Sequence, residues 1–99
     1  MHGPATTIAL GATTSNKNAA VSVTNATTEL LAAGSGAGSR STVIKNTGSV
    51  TVYLAFGEAA TTAKYPLTVG EVLETNFTGA VNGIVSSGTG TVHVLSEGR

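Results

Sequence analysis

Between Val50 and Phe56 apolar side chains recur at every second position, and this period of two constrains the fold more than any other feature of the chain. Val50, Val52, Leu54 and Phe56 share one side of an extended backbone, whereas Thr51, Tyr53 and Ala55 share the other. Successive side chains of a strand point to opposite faces, so the first set reads as core. No segment carries apolar residues at the 3.6-residue spacing of an amphipathic helix. The expected fold class is all-β.

Other segments extend the pattern. Val21 and Val23 alternate with Ser22 and Thr24, which predicts a half-buried strand from Ala20. The adjacent Leu30 and Leu31 fit a strand or a single helical turn, and the Thr-rich flanks favour the strand. Thr42–Lys45 and Val50–Phe56 flank Asn46-Thr-Gly-Ser49, which predicts a β-hairpin whose Asn and Gly tolerate a left-handed backbone. Leu67–Val69 and Val72–Thr75 are expected as short strands across a tight turn at Gly70-Glu71. A last hairpin is predicted to join Ala80–Ser87 to Thr91–Ser96 through Gly88-Thr-Gly90. Val92 and Val94 can share a face there with Leu95 opposite, so either a bulge intervenes or both faces are partly covered. Pro66 cannot donate into a central ladder. The pattern implies seven to nine strands, with turn signals at the spacing of a small sandwich or barrel.

Residues 1–18 read as an N-terminal arm and residues 19–99 as one β-sandwich domain. In the arm, Ile8 and Leu10 are the only sizeable apolar side chains between His2 and Lys17. Such an arm is either a polar tail or an extended segment that pairs with a neighbouring subunit through Ile8 and Leu10.

Composition removes most chemistry. The chain has no Cys, so neither a disulfide framework nor a thiolate site is possible. A metal site needs clustered ligands, and His2 and His93 are far apart in a chain without Asp. Ser35 lies between glycines in Gly34-Ser-Gly-Ala-Gly38 but lacks the spacing and following helix of a nucleophile elbow. Glu58 and Glu71 read as solvated acids in loops, so no enzyme activity and no cofactor are expected. Lys17, Arg40, Lys45, Lys64 and Arg99 are dispersed, which argues against nucleic acid as a partner. No stretch is apolar enough to span a bilayer as a helix, and no secretory leader is expected in Met1–Leu10. With five basic and five acidic residues, only 10% of the chain is charged, far below the usual quarter of a soluble domain. Thr, Ser, Asn and Gly must cover most of the surface.

From Arg40 to Leu95 the succession Ser41-Thr-Val-Ile-Lys-Asn-Thr-Gly48, Val52-Tyr-Leu-Ala-Phe-Gly-Glu-Ala-Ala-Thr61, Pro66-Leu-Thr-Val-Gly-Glu71 and Gly83-Ile-Val-Ser-Ser-Gly-Thr-Gly-Thr-Val92 resembles small virion structural proteins of tailed bacteriophages. The resemblance implies a single small β-sandwich or jelly roll of about eight short antiparallel strands. It also implies a capsid decoration (cement) role on the virion surface, with the major capsid protein as partner and a homo-oligomer, a homotrimer above all, as the assembled form. The expected interface comprises Ile8 and Leu10 of the arm and the Gly57–Tyr65 loop with Glu58 and Tyr65. The alternative is a tail, fibre or receptor-binding module that recognises host surface glycans through Tyr53, Tyr65 or Phe77.

Overall fold

The computed structural model describes residues 16–34 and 40–98. Eight strands follow one another: β1 (Asn16–Val23), β2 (Thr28–Leu31), β3 (Arg40–Asn46), β4 (Val52–Phe56), β5 (Tyr65–Leu67), β6 (Val72–Thr75), β7 (Val81–Ile84) and β8 (Gly90–Gly98). They form two four-stranded sheets, ordered β1-β8-β3-β6 and β2-β7-β4-β5. Every pairing is antiparallel. Only the β4–β5 connection stays within a sheet; all others cross to the opposite one. That wiring is a jelly roll. The all-β sandwich expected from the sequence is the fold observed. Ile8 and Leu10 lie outside the described residues, and pairing of β1 with β8 already begins at Asn16.

Crossing after nearly every strand lets each apolar face be covered by the next element. Val52 and Leu54 of β4 meet Ile44, Val92 and Val94 of the other sheet in one core, with Val50 and Phe56 packed at its margin. Val23, Leu30, Ile44, Val52, Val81 and Val94 are completely buried. Each such side chain stabilises the fold by about 1.5–3 kcal/mol on burial, before chain entropy opposes it.

The same crossing corrects three pairings expected from the sequence. β3 and β4 are not a hairpin; they lie in opposite sheets. β5 and β6 likewise separate, as do β7 and β8. A period of two identifies the buried face of a strand but not the sheet it joins. At the first crossing the chain is held by Asn46, whose Nδ2 donates to Val50 O and Leu67 O (both 2.8 Å) and whose Oδ1 accepts Gly48 N–H (3.0 Å). Gly48 serves a different need from the one expected. Its backbone is not among those at positive φ. A Cβ there would instead stand 2.8 Å from Thr91 N.

Two local ambiguities resolve physically. The β2–β7 register shifts between Glu29 and Leu31, so a bulge turns both Leu30 and Leu31 inward. In β8 the register is regular on both sides, with Val92, Val94 and Ser96 buried while His93 and Leu95 are half-buried. Both faces of that central strand are therefore partly covered.

Polar groups close one end of the sandwich. Thr42 Oγ1 and Ser96 Oγ share a buried hydrogen bond of 3.0 Å. Arg40, 5% exposed, donates to Ala32 O (2.7 Å), Gly79 O (2.6 Å) and Phe77 O (3.1 and 3.3 Å). Burial lowers its pKa from the ordinary guanidinium value. These four bonds from its five N–H donors all go to neutral backbone carbonyls.

Candidate interaction surface

The loop at 57–64 leaves β4 beside Val81 and turns through Gly57, whose φ of +76° suits a residue without Cβ. It then doubles back over the outer face of its sheet. Asn82 Nδ2, on the outer side of β7, donates to Glu58 O (2.7 Å). Ala60 N–H donates to Thr27 Oγ1 (2.9 Å), at the far end of β2. The small residues Ala55 and Ala60 are buried beneath and within this flap. Lys64 Nζ and Glu58 Oε2 form an ion pair of 3.1 Å near its end, where both groups meet solvent.

The flap leads into Tyr65, half exposed at the start of β5. From there the chain runs along the side of the sandwich formed by the two edge strands β5 and β6. Thr68–Glu71 is a type II turn, with Glu71 N donating to Thr68 O (2.9 Å) and Gly70 at φ +85° in its third position. Glu71 Oε1 accepts Thr68 N–H (2.7 Å), and that bond lowers the carboxyl pKa. Gly70 N also donates to Asn46 O (2.9 Å), which fixes the turn to β3. The turn holds Val69 outward at 54% exposure, and Val72 opens β6 at 52%. With Tyr65 at 50%, three large apolar side chains stand exposed within eight residues of one side.

Glu58 is ion-paired to Lys64, which precedes Tyr65 in the chain, whereas Ile8 and Leu10 lie outside the described residues. Val69 and Val72 escaped sequence reasoning, because valine flanking a turn reads as buried strand. The useful signal was Gly70: a glycine demanding positive φ pins its preceding neighbour at the outer corner of a type II turn.

Other features hold less. His93 lies on the outer face of β8, with Nε2 2.5 Å from Asn18 Oδ1. No group of three or more His, Cys, Asp or Glu that could hold a metal ion exists among the described residues. Phe77 and Phe56 form a T-shaped pair with ring centroids 5.7 Å apart, and Phe77 is half-buried at the margin of the core. A shallow depression of about 450 Å³ is lined by Ser41, Thr42, Val43, Glu74, Thr75 and Asn76, in which Glu74 is the one ionisable group. No family model, curated protein or solved structure matches the chain.

Proposed function

We propose that the chain is a non-enzymatic virion structural protein of the capsid decoration type, which binds an assembled shell and bridges neighbouring capsomers as a homo-oligomer. The observation that carries this reading is the exposed strip Tyr65, Val69 and Val72 on a side braced by Asn46, Gly70 and Glu71. Single exposed apolar residues are ordinary on soluble proteins, but three within eight residues along the β5–β6 side support a surface for another protein. The low charge of the chain supports the reading, since many copies can crowd on one shell with little mutual repulsion. The glycan-binding alternative needs an aromatic platform. Of its three candidate rings, Tyr65 is half exposed, whereas Tyr53 and Phe77 are half-buried.

The test is co-sedimentation with undecorated shells of tailed bacteriophages. The wild-type chain is expected to pellet with the shells, and a variant carrying Tyr65→Ser, Val69→Ser and Val72→Ser is expected to stay in solution while melting like wild type. Equal binding by the triple variant, or no binding by wild type, refutes the reading. Retention on a host-glycan surface that is lost with Tyr65→Ser alone would favour the receptor-binding alternative.

A further inference from the structure

The four sheet edges are unequal. β5 is three residues long and contains Pro66, which removes a backbone donor. β2 has four residues and a bulge. β6 has four residues, is tied at its start to the Thr68–Glu71 turn and carries Glu74. Short strands, prolines, bulges and charges are the devices by which proteins blunt sheet edges. β1 is long, has no proline and no bulge, and carries one charge, Lys17. It runs for eight residues, Asn-Lys-Asn-Ala-Ala-Val-Ser-Val, in unbroken register with β8 on one side, and among the described residues nothing pairs with its other side.

Its single charge does not guard it. Lys17 is drawn across to the second sheet, where Nζ donates to Leu30 O at 2.7 Å. The residues that remain along the edge are small. Asn18, Ala20 and Ser22 are exposed on the outer face, and Ala19 and Val21 on the inner face are only half-buried at the open rim of the core. A strand laid beside β1 would satisfy a row of backbone donors and acceptors and extend cover over Val21.

We propose that β1 is a homodimer interface, in which the edge left unpaired among the described residues pairs antiparallel with β1 of a second copy to join two four-stranded sheets into one of eight strands. A second copy fits on three counts. An antiparallel two-fold places the two Lys17 residues at opposite ends, so like charges do not meet. A net charge of zero leaves no long-range repulsion between copies. Apart from Lys17, whose Nζ is already bonded to Leu30 O, the partner strand offers the same small, uncharged side chains. This interface lies on the side away from Tyr65, Val69 and Val72, and the proposal is independent of the shell reading.

The test is the solution mass of the full chain by light scattering, at concentrations up to roughly 1 mM, with Ala20→Lys/Ser22→Lys and Glu74→Lys beside it. The expected result is a mass near twice 9.7 kDa for wild type and Glu74→Lys, and near 9.7 kDa for the β1 variant with an unchanged circular dichroism spectrum. Hydrogen exchange then shows β1 amides protected in wild type and released in the variant. Should the double variant not fold, Ser22→Glu alone provides the same comparison. A wild-type monomer throughout overturns the proposal, as does a mass near three times 9.7 kDa. So does a dimer that disappears on deletion of residues 1–15, which would make the arm the occupant of the edge.

Discussion

Asn46 Nδ2 donates to Leu67 O at 2.8 Å, so a side chain of β3 in one sheet holds the end of β5 in the other. The residue is 1% exposed, and its polar atoms are all engaged: Nδ2 also donates to Val50 O, and Oδ1 accepts Gly48 N–H. Its backbone N–H donates to Glu71 O (3.0 Å) and its C=O accepts Gly70 N–H (2.9 Å). One amide therefore fixes both the β3–β4 crossing and the β5–β6 turn.

Asn46→Ala is expected to destabilise the fold by about 2–4 kcal/mol, because it leaves buried carbonyls at Val50 and Leu67 without their donor. Asn46→Asp does no better, since a carboxylate oxygen would face those carbonyls. Urea denaturation measures both. A loss below about 0.5 kcal/mol for Asn46→Ala would mean that water replaces the amide at no cost.

Arg40 makes a parallel case at the opposite end of β3. Its planar fork reaches carbonyls of the chain after β2 and of the β6–β7 connection, which a single ammonium cannot span together. Arg40→Lys is expected to cost about 1–3 kcal/mol in chemical denaturation, and Arg40→Met more. The partners are neutral, so the loss should vary little with salt. A Lys variant as stable as wild type would show that the bidentate geometry contributes nothing.

What could be read from the sequence follows from what a period of two encodes. It identified Val52 and Leu54 as the inward side of β4, because their burial follows from alternation. In β8 it paired Val92 with Val94 but left the inward face open, and it did not foresee the burial of Ala55 on the outer side of β4. It left the sheet of each strand open, because Asn46-Thr-Gly-Ser49 is composed like a hairpin turn, while the decisive contacts of Asn46 and Gly48 come from Leu67 and Thr91, far along the chain. Arg40 looked like one more dispersed surface cation, since carbonyl groups carry no signature in a sequence. At the candidate surface, Glu58 was legible as a loop residue, whereas Tyr65, read as the end of that loop, opens β5. The exposure of Val69 and Val72 was not legible, because it is imposed by the turn and the edge position of β6 rather than by their own chemistry.

Glu71 supplies a pH dependence. Hydrogen bonding from Thr68, its backbone N–H first, holds the Glu71 carboxyl below the usual 4.5. A carboxylate with a depressed folded-state pKa contributes stability that is present above the unfolded value and is lost as pH falls through the folded one. Acidification below 4.5 should thus loosen the Thr68–Glu71 turn. The amide resonances of Thr68 and Gly70 are expected to shift together across that range, and Glu71→Gln should abolish the transition. A Thr68 amide that titrates unchanged in the Gln variant would assign the pH dependence to another group.

The buried contact between Thr42 and Ser96 allows a sharper test, because both hydroxyls can be removed with the loss of only one side-chain atom. Thr42→Val strands the Ser96 hydroxyl in the core, and Ser96→Ala strands that of Thr42. Each single change is expected to cost about 1–3 kcal/mol, the penalty of an unsatisfied buried hydroxyl. The double variant removes both groups and replaces one hydroxyl by a methyl of similar volume. It should therefore be more stable than the sum of the single losses implies, with a coupling of about 0.5–3 kcal/mol. A thermodynamic cycle in urea reads this directly. Additive losses would show that water reaches this end of the sandwich and that the two hydroxyls stabilise the fold independently.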